Sequence, residues 1–178
     1  ISENKNIEKR VAITPDVVKK YQSLGLGVYL TKNYALHIGI TDKEYELEGA
    51  KFFNKDEEVI SQSDAILQMN IISDENLDKL KQNQIFIGVL NPFLNEKKLQ
   101  NITSKKVNCF SLDLLPRITR AQSMDILSSQ ANLAGYKAVV DSFSYFQKAI
   151  PMMMTAAGTI SAAKVLVVGA GVAGLQAI

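Results

Sequence analysis

A single cysteine, a single histidine and no apolar run of membrane-spanning length characterise this 178-residue chain, and each scarcity removes a class of function. Cys109 stands alone in the apolar run VNCFSL, so neither a disulfide framework nor a cysteine metal site can be built. Its thiol reads as strand filling in a reducing compartment. His37, in KNYALHIGI, reads as a packed or surface residue and not as a catalyst. No stretch approaches the roughly eighteen apolar residues of a bilayer span. The opening ISENKNIEKR is polar, unlike a secretory signal, and the chain is expected to be soluble. An excess of one charge is missing too. Lys and Arg total 20 against 18 Asp and Glu, and no basic run is present to neutralise a row of phosphates, which excludes nucleic acid as the partner. Neither an internal repeat nor a low-complexity linker interrupts the sequence.

What is present is the composition of a globular chain of one or two domains, 47% hydrophobic and 21% charged, which suffices for a sizeable core. In TPDVVKKYQSLG the apolar residues Val17, Val18, Tyr21 and Leu24 recur at helical spacing, opened by Thr14 and Pro15 and closed by Gly25. The strand GVYLT follows. Helices are predicted near 41–49, 56–61, 76–81 and 95–104, and they alternate with the apolar runs AKFF, DAILQMN, IFIGVL and VNCFSLDLL. Strands that read as continuous apolar runs between helices predict a parallel sheet covered on both faces.

From about Gln122 to Gln147 the residues are apolar or small on nearly every face, which predicts a buried helix. Its start is unusually polar. Arg117, Arg120, Gln122, Asp125, Ser128, Ser129 and Asn132 fall within sixteen residues flanked by apolar chain. A capping box between Thr119 and Gln122 accounts for one or two of them, not seven. Asp125 and Ser128 share a helical face with Gln122 close by, and Arg117 is placed to fold back and pair with Asp125. Such a loop offers fixed donors and acceptors suited to a carboxamide and ribose hydroxyls.

After PMMMTAAG, read as adaptable core filler, comes KVLVVGAGVAG, a strand at 164–168 running into a glycine-rich turn. There Gly169 permits the tight turn, Gly171 lets backbone amides approach a pyrophosphate, and Gly174 permits close helix packing. The fold class expected is α/β: two Rossmann-like, doubly wound parallel-sheet domains joined by a long helix, the second incomplete. Residues 1–121 form the first domain, and 122–178 form the connecting helix and the start of the second. A dinucleotide unit also uses the helix after the turn, the next strand, and an acidic residue about 20 residues on that holds the ribose. The chain opens without Met and stops at Ile178 within that helix, so it reads as a fragment.

PRITRAQSMDILSSQANLAGYKAV, then PMMMTAAGTI and KVLVVGAGVAGLQAI, together resemble the NAD(H)-binding component of the proton-translocating NAD(P) transhydrogenases. RVAITP at 10–15 resembles the opening signature that this family shares with alanine dehydrogenases. The resemblance implies that Arg117, Gln122, Asp125 and Ser128 hold the nicotinamide and its ribose and face the neighbouring NADP(H)-binding component. Gln122, Asp125 and Arg117 would be the catalytic set: Gln122 brings the two nicotinamides together, while Asp125 and Arg117 orient loop and ligand. Gly169, Gly171 and Gly174 would complete the NAD(H) site, in a cleft between the two domains. It further implies NADP(H) on a partner component, a membrane-spanning component coupling hydride transfer to proton movement, a homodimer, and a place on the cytoplasmic side of a bacterial inner membrane. Residues 1–178 alone are expected to bind NADH poorly, because the adenosine half of the site lies outside them.

Hydride exchange between two nicotinamides moves no proton to or from a substrate, so it needs positioning, not an acid or base. The alternative within the superfamily, an NAD-dependent alanine dehydrogenase, does need proton chemistry. Its pattern supplies a Lys at the end of the strand DAILQMN and a His after IFIGVL. Here those places hold Gln68, Met69 and Asn70, and Asn91 and Pro92. Arg10 is retained and is expected to form a structural ion pair. A non-catalytic domain that senses NADH is the alternative of another class.

Overall fold

In the computed structural model, which describes residues 1–178, helix and strand alternate through the first unit, Ile1–Leu115. The order is α1 (Pro15–Ser23), β1 (Tyr29–Thr31), α2 (Asp42–Leu47), β2 (Lys51–Phe53), α3 (Asp56–Gln62), β3 (Ala65–Leu67), α4 (Asp74–Leu77), β4 (Ile85–Gly88), α5 (Glu96–Ser104) and β5 (Asn108–Ser111). Local chemistry sets the ends. Thr14 is the N-cap of α1 with Pro15 in its first turn, and Gly25 just beyond it has φ +78°, a left-handed position that suits glycine. At α2 the Glu44 carboxylate accepts from the Thr41 amide and hydroxyl, both at 2.7 Å, a capping box that holds its pKa below the usual carboxylate range. Glu58 does the same service at α3, accepting from the amides of Asn54 (2.9 Å) and Lys55 (3.1 Å).

All pairings in this unit are parallel, β1 with β2 and β3–β4–β5 in that order, so the α/β class with parallel sheets holds. Successive strand residues point to opposite faces. Leu30, Phe52 and Leu67 belong to a core with Val18 of α1 and Tyr45 of α2, whereas Tyr29, Phe53 and Ile66 belong to one with Ile60 of α3 and Ile102 of α5. Helices therefore cover both faces, and β1 and β3 contribute to the same two cores although they are not paired with each other. One continuous sheet was the sequence expectation; two parallel blocks are found. The helix expected at 76–81 sits earlier, at Asp74–Leu77, because Ser73 is its N-cap and the Gln84 side chain accepts from the Lys81 amide at 2.7 Å, ending the coil there.

The second unit, Pro116–Ile178, starts a few residues ahead of the boundary expected after 121, because the 3-10 turn Thr119–Met124 leads directly into α6 (Ile126–Tyr145). The antiparallel hairpin β6 (Met153–Thr155) and β7 (Gly158–Ile160) follows, then α7 (Val172–Ala177). Several expectations are corrected here. Helix α6 begins at 126, not 122, and of its residues only Gly135 is buried. Met153 and Met154 lie on an exposed hairpin, not in a core. Residues 164–168 form no strand, because a strand exists by pairing and no segment pairs with them.

Candidate functional site

Every site residue predicted from the sequence falls in the second unit. Asp125, and not Thr119, is the N-cap of α6: its Oδ1 accepts from the Ser128 amide at 2.9 Å and its Oδ2 from the Ser128 hydroxyl at 2.6 Å. The anticipated Thr119–Gln122 capping box is absent, since both residues lie in the 3-10 turn that precedes the helix. Ser128 holds the Asp125 carboxyl below its ordinary range through these two bonds, with Arg117 adding a weaker electrostatic pull. The expected Arg117–Asp125 ion pair is not made: the carboxylate is directed at Ser128, and the Arg117 guanidinium acts only at longer range. Arg117, Arg120 and Gln122 are exposed, whereas Ala121 between them is buried and anchors the turn. The result is a loop pinned at Ala121 and Asp125 whose amide and guanidinium groups face solvent.

Glycines organise the far end of the unit. Gly169 has φ +104°, a left-handed turn. A Cβ on Gly174 would lie 2.0 Å from the Gly169 carbonyl oxygen, so α7 packs directly on the turn, while a Cβ on Gly171 would meet nothing within 4 Å. The turn thus leaves open space at the Gly171 Cβ position, next to the first turn of α7, whose amides helix geometry leaves without carbonyl partners. Gly135, which the sequence reading did not single out, brings α6 against α7 so closely that a Cβ there would sit 2.1 Å from the Ala173 carbonyl oxygen. Asn132 Nδ2 donates to Gln176 Oε1 at 2.9 Å across the same helix pair. A small residue in the sequence LAGYKA, one helical turn beyond Asn132, was the available signal.

In the first unit, the places where the alanine dehydrogenase pattern has Lys and His carry no base. Gln68 Nε2 donates to the Ser2 carbonyl at 3.3 Å, the Met69 amide donates to Glu3, and Asn70 Nδ2 lies 3.5 Å from both Glu3 and Glu8. Arg10 clasps Glu8, with Nε at 2.8 Å and Nη2 at 2.7 Å, and this holds the Glu8 carboxyl down to about 2. Glu3 shifts the other way, raised by burial. His37 is exposed, with Nε2 at 2.8 Å from the Lys9 carbonyl oxygen. Cys109 is partly buried on β5, and burial pushes its thiol up. No group of His, Cys, Asp and Glu is arranged to hold a metal ion, and no helix is long and apolar enough to cross a membrane.

Two family models match the chain: the N-terminal domain of alanine dehydrogenase/PNT over residues 1–134, and the C-terminal domain of alanine dehydrogenase/PNT over residues 138–178. The chain belongs to the alanine dehydrogenase/PNT family. Within it, the chain is 45% identical over 175 residues to an NAD(P) transhydrogenase alpha subunit of Rickettsia prowazekii, a match that takes in 96% of this chain and 46% of that one. The crystal structure of transhydrogenase from Sinorhizobium meliloti is similar at TM-score 0.94 and 43% identity, covering 99% of this chain and 53% of the other. Likeness to alanine dehydrogenase is weaker, 26% identity to that of Methanococcus maripaludis over 98% of this chain and 47% of the relative. The chain thus spans about half the length of these family members.

Proposed function

We propose that this chain is the NAD(H)-binding part of a proton-translocating NAD(P)+ transhydrogenase, exchanging hydride between NAD(H) bound here and NADP(H) held on a partner component. The observation that carries the reading is the loop pinned by Ala121 and Asp125, which presents Gln122 and Arg117 outward in a chain 45% identical to a transhydrogenase subunit. NADH gives up a hydride with its electron pair and NADP+ accepts it, so charge and atoms balance without a proton leaving or entering the site. The residues then have to orient, and nothing more. Gln122, whose carboxamide both donates and accepts, is suited to bridging a nicotinamide carboxamide to a second ring beside it. Arg117 supplies a fixed positive charge, and Asp125 and Ser128 hold the start of α6 in place. Gly169, Gly171 and Gly174 form the turn against which the pyrophosphate would rest, and the open space at Gly171 fits such an approach. The partner carrying NADP(H), the membrane-spanning component, the homodimer and the cytoplasmic side of a bacterial inner membrane belong to the same proposal.

The test uses the whole subunit mixed with an NADP(H)-binding transhydrogenase component, following hydride transfer from NADH to an NADP+ analogue. Transfer that is rapid, and that falls with Gln122→Ala while NADH affinity changes little, supports the proposal. If NAD+ is instead reduced in the presence of alanine without any partner, the alanine dehydrogenase reading replaces it. A loss of affinity alone, with no transfer in the parent protein, assigns an NADH sensor.

A further inference from the structure

In the middle of α6, Asn132 and Gly135 stand among Ala131, Leu133 and Ala134. Ala and Leu rank at the top of the helix scale, whereas Asn and above all Gly rank low, so local helix formation does not explain the two residues. Their contacts do. Asn132 Nδ2 donates to Gln176 Oε1 at 2.9 Å, and one turn on, Gly135 meets the Ala173 backbone with no room for a Cβ. Ala173 and Gln176 are themselves three residues apart and share a face of α7. Because 135 meets 173 and 132 meets 176, α7 runs back along α6 toward the end that Asp125 caps.

Ser128, Asn132 and Gly135 follow one stripe of α6 at steps of four and three residues, and Asp125 holds the head of that stripe through its two bonds to Ser128. On its other side α7 packs through Gly174 on the Gly169 carbonyl. An unbroken set of short contacts therefore leads from the loop that carries Gln122 to the turn at Gly169 and Gly171. The two links between the helices constrain different motions. Backbone against backbone at Gly135 sets how closely they approach, but offers no side chain to stop α7 from sliding or rotating. A hydrogen bond is directional, and the one from Asn132 fixes α7 along and about its axis.

We infer that Asn132 and Gln176 are positioning residues for hydride transfer, whose bond sets the spacing between the Gln122 loop and the Gly169–Gly171 turn, and with it where a nicotinamide held from both ends lies relative to the second ring. The inference rests on the function proposed above. Neither carboxamide titrates, so the pair orients and does not move protons. Misplacing the reacting atoms by about 1 Å costs on the order of a hundredfold in rate, whereas affinity is shared over all the contacts a nucleotide makes. Loss of the bond therefore lowers transfer more than it lowers binding.

The whole subunit, mixed with an NADP(H)-binding transhydrogenase component, tests this by single-turnover hydride transfer at saturating NADH, with affinity read by calorimetric titration and folding by thermal melts. Asn132→Asp and Gln176→Glu each leave a carboxamide that can donate to the new carboxylate, and each should stay within about twofold of the parent. The double variant Asn132→Asp/Gln176→Glu has two acceptors and no donor, and its transfer should fall about tenfold while NADH affinity changes by less than about threefold. Asn132→Ala removes the bond without adding charge and raises helix propensity, so it should show the same fall at a melting temperature close to the parent's. Transfer as fast as the parent's in the double variant and in Asn132→Ala overturns the inference and leaves the functional reading standing. A fall in transfer matched by an equal fall in affinity assigns the pair a structural role only, and overturns it too. No transfer in the parent protein refutes the functional reading and takes this inference with it.

Discussion

Gly171 and Gly174 stand three residues apart in one turn, yet adding a methyl group to each should have opposite consequences. At Gly174 the new Cβ would fall 2.0 Å from the Gly169 carbonyl oxygen and 2.9 Å from its carbon, whereas ordinary contacts begin at 3.4 Å. Turn and helix must part by more than an ångström. Helix propensity alone favours Ala over Gly in α7 by about 1 kcal/mol. Overpacking against backbone, which has no rotamer to escape into, costs about 1–3 kcal/mol and should win. We expect Gly174→Ala in the whole subunit to lower the melting temperature by up to roughly 4 °C. At Gly171 a Cβ meets nothing within 4 Å and φ is −78°, so the fold tolerates it. The substitution there costs at most about 1 kcal/mol, as Ala caps a helix less well than Gly. If a pyrophosphate rests against this turn, however, the same methyl group occupies its approach, and Gly171→Ala should weaken NADH binding by about tenfold or more, roughly 1.4 kcal/mol. Calorimetric titration with NADH and thermal melts of both variants read the two effects separately. Unchanged NADH affinity in Gly171→Ala refutes the assignment of the turn to the nucleotide, and a stabilised Gly174→Ala refutes the packing argument.

In the first unit, the buried Tyr45 hydroxyl donates to the Ile13 carbonyl at 2.9 Å, and burial pushes it up to about 12. Tyr45→Phe should cost about 1–2 kcal/mol in urea unfolding, since it leaves that carbonyl without its donor; an unchanged midpoint would deny the bond its weight. Glu8 has its folded pKa lowered from 4.5 to about 2 by Arg10, so its contribution is present above pH 4.5 and lost as pH falls toward 2. Glu8→Gln should therefore flatten the loss of stability across that window and leave the slope at neutral pH unaltered, as melts at stepped pH would show. For the cap of α6, Asp125→Ala should speed exchange of the Ser128 amide while Asp125→Asn, which keeps an acceptor, should largely restore it; equal exchange in both variants would mean that charge, and not the bond, holds the helix start.

Element order in the first unit was legible because each signal was local: the Thr14–Pro15 start, the Gly25 stop, and apolar runs that became β1 to β5. What escaped depends on partners distant in the chain. The break between β1 and β3 is a fact of pairing, and no composition of GVYLT or DAILQMN announces it. Residues 164–168 have every intrinsic mark of a strand and lack only a neighbour to bond with. Around α6 the sequence reading places the cap at Thr119, but Asp125 takes that role. The side chain that ranks higher as a cap, with Ser128 three residues on, took the position, which moved the helix start and converted the preceding turn to 3-10 geometry. The burial of α6 was misjudged for a related reason: small and apolar residues predict that a face can be covered, not that it is.

The same carboxylate bears on which chemistry the candidate site can support. Asp125 spends one oxygen on the Ser128 amide and the other on the Ser128 hydroxyl, and its pKa is lowered by them, so it stays ionised through the neutral range. A general base needs the opposite, a carboxylate poised near the working pH and free to take a proton. Gln122 and Ser128 do not titrate there. Nor do the positions at Gln68–Asn70 or Asn91 provide a base in the first unit, where Glu8 is held ionised by Arg10. Among the carboxylates Glu3 alone is displaced upward, and it is already committed to the Met69 amide and Asn70. A set of side chains without an available acid or base, fixed by caps and close-packed glycines, suits a reaction in which a hydride passes between two rings. It does not suit one in which an amine must first be deprotonated.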